Sequence, residues 1–420
     1  RLPELVRPFY TRGVIGRPAA IVVVGVLLVG ACNSASDNGL GDTAVPVPSA
    51  PGPSAPDPDF TEVTSSSPST IPRPGPAPDG PLAAVCPERL VVQLDDVPSV
   101  EHGALYQLLG DTPAVDDSAQ TVSAPIVRAD GTVADVTLEI RSGGPVVDFR
   151  SPLEVIAVDP SATFAVASTA DVVSAAAGEG IEPVSVMSLT DRSHDAVLWD
   201  PESYPGVEDL ESLVAAGVEI HHAPGERFIE FLAAADGPLV GATLVNSYLG
   251  EPAAFVAAGG AIAQQADALT DPFLFENLPQ WGRPVALAFA ADSGWASYDD
   301  TLVVRAGDRA DLGDCLERFV PVLQQATVAY LDDPSTVHQL MSFVRAGFNP
   351  LTRASIESLD RGVADGTSQG LLGAAEGAIV GALDRERLGD FLVDYTETLG
   401  LGAVPLDAVV DESFLADVTM

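Results

Sequence analysis

The stretch Leu94–Gly110, LDDVPSVEHGALYQLLG, decides how the chain is read. A hydrophobic run, Leu90-Val91-Val92-Gln93-Leu94, leads straight into two carboxylates, Asp95 and Asp96. Pro98 stops the strand, because it has no N–H to offer a ladder. Glu101-His102-Gly103 then opens a short helix carrying Leu105, Tyr106, Leu108 and Leu109. A strand end, a polar loop and a helix start form the usual place where an open α/β sheet holds a small ligand. Sequence upstream reads as delivery apparatus, and sequence downstream as the walls of a cleft.

A chain of 420 residues has room for two or three domains, and 46% hydrophobic residues can bury a core in most of it. All 20 basic residues are Arg, against 60 acidic ones, for a formal charge of -40. Such acidity argues against a nucleic-acid partner, which phosphate repulsion would drive off. It leaves the charge of a ligand open, since a pocket can differ from the net surface.

Residues 1–31 carry Arg1, Arg7, Arg12 and Arg17 against Glu4 alone. Ala19 to Ala31 then has no charged or strongly polar side chain. That run is too short for a membrane span and fits a signal-peptide core. It ends in Val29-Gly30-Ala31-Cys32, which resembles the lipobox of bacterial lipoproteins: small residues at the cut, then a thiol that takes the lipid. The expectation is a signal peptide over 1–31, lipidation at Cys32 and a location on the outer face of the cytoplasmic membrane. A short anchor with an incidental Cys is the plainer alternative. Residues 32–85, with PVPSAPGPSAPDPD, TSSSPST and PRPGPAPDGP, are too polar and Pro-rich to offset their ordering entropy by burial. They read as a disordered stalk that holds a domain off the membrane.

The folded body follows. Residues 111–136 read as a loop-rich excursion, and Thr137–Ile140 as a strand. Ala162–Ser168 is an apolar strand that breaks at Ser168-Thr169-Ala170-Asp171 into a helix, with good helix-start chemistry. Val184–Leu189 and Ala196–Trp199 are the next strands. From about residue 200 short helices and strands alternate, down to a strand over Ala261–Ala263; this pattern predicts parallel α/β with right-handed crossovers. Val285–Ala290 and Thr301–Val304 read as strands returning to the first unit. Beyond Asp311 apolar residues fall at helical spacing over Leu316–Tyr330, Thr336–Arg345, Ile356–Val363, Ser368–Leu383 and Leu388–Thr398. The expected body is α/β: lobe one over 86–195 and 300–420, lobe two over 196–299, and a helical C-terminal return. A cleft between two such lobes is a favoured ligand site, and hinge closure its known motion.

This order resembles the periplasmic binding proteins with a type II fold, and within them the thiamine-pyrimidine, nitrate, sulfonate and taurine binding family. Leu94-Asp95-Asp96-Val97-Pro98 with His102 resembles the LDW-x-P…HxG opening of the thiamine-pyrimidine branch; Asp96 stands where that branch has Trp, and Gly103 follows His102 directly. Phe164–Asp171, FAVASTAD, is similar to the second cleft loop of the family, and Asp209-Leu210 to the first half of its DLkGk turn. The resemblance spans about residues 88–400. It implies a two-lobe type II periplasmic-binding-protein fold and a monomer. The implied role is capture of a small polar or heteroaromatic solute for an ABC permease. Two alternatives stand beside it: a ligand-sensing or interaction lipoprotein without transport, and a pyrimidine-precursor enzyme of the same fold.

Asp95 and Asp96 can meet a cationic or amino-bearing ligand, or cap the next helix. His102 can hydrogen-bond a heteroaromatic ring, and a satisfied loop histidine is the equal alternative. Tyr106 is a stacking candidate. Ser168 and Thr169 offer hydroxyls at a strand-to-helix loop. Trp199 ends a strand where lobe two begins, and Trp295 lies in the polar segment WGRPVALAFAADSGWASYDD; either can wall the cleft or pack a core. Adjacent His221 and His222 face opposite ways on a strand, and no Cys or His nearby completes a set, so no metal and no cofactor is expected. No GxSxG, phosphate-binding Gly-rich loop or HExxH is present, so no catalytic residues are assigned. Once Cys32 is lipidated, Cys86 and Cys315 remain, and an exported setting allows them to pair; two buried free thiols are the alternative.

Overall fold

The computed structural model describes residues 80–234, 236–248, 250–348 and 355–420. The expected signal peptide, Cys32 and nearly all of the expected stalk lie outside the described residues. Two sheets carry the fold. The strands of the first are β1 Arg89–Gln93, β2 Ala114–Asp116, β3 Thr121–Val127, β4 Val133–Arg141, β5 Phe164–Ala167 and β6 Pro183–Ser188. Those of the second are β7 Asp195–Trp199, β8 Glu219–His221, β9 Thr243–Val245, β10 Ala263–Asp267 and β11 Ala286–Phe289. The chain then returns, and β12 Thr301–Arg305 joins the first sheet. The strand orders are β2-β3-β4-β1-β5-β12-β6 and β11-β7-β10-β8-β9.

The helices in chain order are α1 Gly103–Gln107, α2 Pro152–Val158, α3 Thr169–Ser174, α4 Leu210–Ala215, α5 Arg227–Leu232, α6 Ala253–Ala257 and α7 Asp271–Asn277. The C-terminal helices are α8 Gly313–Asp332, α9 Ser335–Phe348, α10 Ile356–Ser368, α11 Arg385–Thr398 and α12 Leu406–Val409. Their starts follow from capping. Ser151, Ser168, Asp209, Ser355 and Asp384 each accept a backbone N–H from the first turn that follows, which satisfies a donor the helix itself cannot.

Strands β1, β5, β6, β7 and β12 are buried on both faces, so they read as continuous apolar runs rather than as alternating ones. Period-2 geometry deals their side chains to two layers. Leu90, Val92, Phe164, Val166, Leu302 and Val304 pack into one layer, with α1 and α8. Val91, Ala165, Val303 and, from the second sheet, Val197, Trp199 and Ile220 pack into the other, with Phe391 and Tyr395 of α11. Phe164 stacks on Phe319 of α8 at 5.4 Å between centroids. Helix α1 comes close to α8 because Gly103 has no side chain: a Cβ there would lie 2.0 Å from the Tyr330 ring. The second residue of the His-Gly pair is thus a packing requirement.

Five expectations are corrected. Residues 111–136 are an antiparallel ribbon, β2 and β3, running on into β4, with Thr121 opposite Arg141; β3 buries Val122, Ala124 and Ile126 in alternation, a period-2 pattern rather than a continuous apolar run. The sheets are mixed rather than parallel, since β7 and β12 run against their neighbours. Strand β11 stays in the second sheet beside β7, so β12 alone returns, and the strand expected at 261–263 begins only at Ala263. Ser368–Leu383 is not a helix. Leu371, Leu372 and Val380 fall at helical spacing, but Gly370, Gly373, Gly377 and Gly381 all have positive φ, which ends helical runs.

Cys86 and Cys315 are joined, with Cα atoms 4.7 Å apart, and tie the start of the body to the first turn of α8. Thiol counting on the unreduced, denatured chain should find neither of these sulfurs free. Replacing both by Ser should lower stability by roughly 2–5 kcal/mol in urea, since a long loop of the unfolded chain is released. Two reactive thiols at these positions would contradict the bond.

Candidate functional site

Strands β1, β4 and β5 are parallel, and β6 runs with them because β12 opposes both β5 and β6. Their carboxyl ends therefore open on one edge. There the chain leaves for the second sheet through residues 189–194 and comes back through 290–300. A cavity of about 300 Å³ lies at this edge. Its first wall is Asp95 and Glu101 after β1, Ser151–Leu153 at the start of α2, and Val166–Ser168 with Asp171 at the β5–α3 turn. The second wall is Asp195 of β7 and Gly225–Arg227 at the start of α5. His194, Trp295, Asp299 and Asp300 of the crossing segments complete it. This volume is at the small end of ligand sites, which run from roughly 300 to 1,000 Å³.

Asp95 is held by its neighbour turn. The Gly143 and Gly144 amides donate to the carbonyls of Asp96 and Asp95 at 3.1 and 3.2 Å. Gly143 is required there, because a Cβ would lie 1.9 Å from the Asp95 carbonyl oxygen. His102 sits beneath Asp95. Its Nδ1 accepts from the Ser99 amide at 3.2 Å, while Nε2 lies 3.5 Å from Asp95 and 3.8 Å from Asp300. His194 is clasped from three sides. Its Nδ1 is 3.3 Å from Asp267, and its Nε2 is 3.2 Å from Asp300 and 3.6 Å from Asp299. Arg227 of α5 reaches across to Asp171 of α3 at 2.8 Å and links the two walls.

The electrostatics follow from burial among like charges. Burial pulls the His194 imidazole down, but Asp299 and Asp267, with hydrogen bonds to Asp267 and Asp300, hold it well above the ordinary histidine value. Burial likewise opposes a proton on His102, and Glu101, Asp95 and Asp300 together outweigh it, so this pKa is also raised. The carboxyls move up too. Burial, only partly offset by His102, pushes Glu101 up to about 7. Burial also pushes Glu226 up to about 7, against the Gln265 hydrogen bond, with Asp171 and Asp299 adding to the rise. Asp195 is held well above its usual range by burial, Asp299 and Glu226. The cavity is lined by more carboxyl groups than cationic side chains.

Of the residues singled out in the sequence, Asp95, Ser168 and Trp295 line this cavity, and His102 supports Asp95 from below. Ser168 is also the cap of α3, accepting from the Asp171 amide and donating to the Asp171 carboxylate at 2.8 Å. Trp295 lies among Phe228, Phe231, Phe391 and Tyr395, and its Nε1 donates to Asp195 at 3.1 Å. Four others are placed elsewhere. Tyr106 is buried in the core layer under α8. Thr169 turns back onto the crossing segment, accepting from the Tyr298 amide at 3.0 Å and meeting the Ser297 hydroxyl at 3.1 Å. Trp199 is buried in the other core layer, and Asp96 is exposed outside the lining. His221 and His222 turn to Ser247 and the Ala223 carbonyl. Among the described residues no group of three or more His, Cys, Asp or Glu is arranged to hold a metal ion.

Glu101, Asp171, His194, Asp195, Glu226, Arg227, Asp299 and Asp300 were not foreseen as lining residues. Asp299 and Asp300 carried the clearest signal, an acidic pair abutting the apolar run Leu302–Val304.

No protein-family model matches the sequence, and no curated protein matches it. Solved structures match its fold. The periplasmic nitrate-binding protein NrtA from Synechocystis PCC 6803 aligns at 11% identity over 78% of this chain and 87% of its own, with a TM-score of 0.50. The periplasmic aliphatic sulphonate binding protein SsuA from Escherichia coli aligns at 12% identity over 77% and 97%, with a TM-score of 0.49. A ligand-binding component of an ABC-type import system from Staphylococcus aureus, with zinc bound, aligns at 12% identity over 78% and 97%, also at 0.49. The chain has the two-lobe α/β fold of the type II periplasmic binding proteins.

Glu101 gives a pH test. Folded, it titrates near 7, against 4.5 ordinarily, so between those values the folded state keeps a proton that the unfolded chain has lost. Stability should therefore fall as pH rises through this window. The raised His194 acts in the same direction at higher pH, and His338, pulled down by burial, opposes it. Urea unfolding at pH 5 and pH 8 isolates the term by comparison with Glu101→Gln. The variant should gain on the order of 2–3 kcal/mol relative to the native chain between the two pH values. An unchanged difference would remove Glu101 from the charged set.

Proposed function

We propose that this chain is an extracytoplasmic solute-binding protein that closes on a small polar solute and delivers it to an ABC importer. The observation that carries the reading is the cavity itself: its walls come from both sheets, and the segments that join them complete it. A ligand touching both walls binds the closed arrangement better than an open one, which is the condition for ligand-driven closure. The reading is capture rather than chemistry. Ser168 is the hydroxyl best placed to act as a nucleophile, and its O–H is spent within its own helix cap. The nitrate and sulfonate ligands of the fold neighbours are not carried over to a cavity with this many carboxylates.

Attachment at the membrane is read from the Arg-bearing leader, its apolar core and Val29-Gly30-Ala31-Cys32. Among the described residues no helix is long and apolar enough to cross one. We assign anchoring to Cys32 on the strength of that leader and box, with residues 33–85 as the spacer to the permease. In cell fractionation the chain should follow the membranes, and Cys32→Ser should release it or leave the leader uncut. A native chain with an unmodified Cys32 thiol contradicts the assignment.

Solute capture is tested by a thermal-shift screen, because a ligand that binds only the folded state raises its midpoint by mass action. The panel holds pyrimidines, flavin and thiamine precursors, taurine, sulfonates, nitrate and polyamines. At least one should raise the midpoint, and Asp95→Ala should abolish that shift. If no compound raises it, capture is the wrong reading.

A further inference from the structure

We propose that the cleft takes a small organic cation, an aliphatic amine or guanidine whose N–H groups reach carboxylates on opposite walls. This deepens the solute-capture reading and rests on it. The distribution of charge is the first ground. Asp95 and Glu101 stand on one wall, Asp195 and Glu226 on the other, and Asp299 and Asp300 on the crossing segment. Arg227 offers no free positive charge to an anion, being paired with Asp171 at 2.8 Å. His194 is likewise committed to Asp267, Asp299 and Asp300.

The second ground is an acceptor without a donor. Glu101 lines the cavity, is 8% exposed, and its Oε2 has no hydrogen-bond partner. A buried carboxylate oxygen left unpaired is unfavourable, and an N–H donor from the ligand relieves it. Beneath Asp95 the His102 Nε2, which carries the proton because Nδ1 accepts from Ser99, faces Asp95 and Asp300 at 3.5 and 3.8 Å and makes no demand on a ligand. The unmet acceptor at the site is therefore Glu101 Oε2.

Shape separates an organic cation from a metal ion. The carboxylates do not converge: among the described residues no trio of ligating side chains is arranged around one point. A space of about 300 Å³ is far more than one ion fills. Apolar surface lies between the acids, from Pro152, Leu153 and Val166 on one side and Trp295 on the other. Carbon chain against that surface and nitrogen at the acids is the matching pattern. The raised pKa values of Glu101 and Glu226 agree with it, since a proton there does what a bound cation would do.

The test is titration calorimetry on the full-length chain at pH 8 with putrescine, agmatine, 1,4-butanediol, nitrate, methanesulfonate and zinc chloride. Putrescine or agmatine should bind, butanediol of the same length should not, and Glu101→Gln should weaken the amine at least tenfold. The stability gain of this variant at pH 8 reports that it is folded. If the diol or an anion binds and the amines do not, the cation proposal falls and solute capture stands. Binding of zinc alone also overturns the proposal. If nothing binds here or in the thermal-shift panel, both readings fall together.

Discussion

The structure depends on how one strand gets home. After β6 the chain leaves the first sheet, builds the second, and returns as β12 between β5 and β6. Because it comes from the edge where those strands end, it can only enter antiparallel to them. The Thr301 hydroxyl fixes its depth, donating to the Ala167 carbonyl at 2.8 Å and meeting the Ser185 hydroxyl at 2.8 Å. That register sets Asp299 and Asp300 at the edge where β1 and β5 release Asp95 and Ser168. The acidic site is therefore a by-product of topology as much as of local sequence. A slip of one residue would turn the other face of β12 into each core layer and move both carboxylates.

This explains what could be read in advance. Strands flanked by turn residues and helices opened by Ser168 or Asp209 declare themselves within ten residues, because capping and burial patterns are local. The ribbon before β4 did not, since β2 is only three residues long and β3 alternates buried and half-buried positions instead of forming a continuous apolar run. The stretch 368–383 misled because apolar spacing is blind to backbone sign, and four glycines there take conformations no helix uses. Asp95 and Ser168 were legible because each sits at the end of an apolar strand. Glu226 and His194 were not, because what makes them site residues is their juxtaposition with groups roughly 40 to 110 positions away. Tyr106 shows the converse: its position beside His102 looked functional, while α1 turns it inward under α8.

The charge on the chain and the charge in the cleft have different standing. On the surface, acidic side chains repel one another weakly through water and salt. Inside the cleft His194 and Arg227 answer only some of the carboxylates, and the protonation of the rest responds to burial. The two histidines act as internal counter-ions. They fix the orientation of Asp267 and Asp300 without reducing the acidity of the site to neutrality.

The Cys86–Cys315 bond bears on mechanics as well as on stability. Arg318 of α8 also holds the Pro81 carbonyl, at 2.9 Å, so the first residues of the body are fastened to α8 twice. A pull applied ahead of Gly80 then enters the fold through a covalent link into its longest helix, one buried against the first sheet. Strand β1 begins only three residues later, and it is shielded from that load. A covalent link three residues ahead of β1 gives such a force a path into α8 that bypasses the strand leading to Asp95.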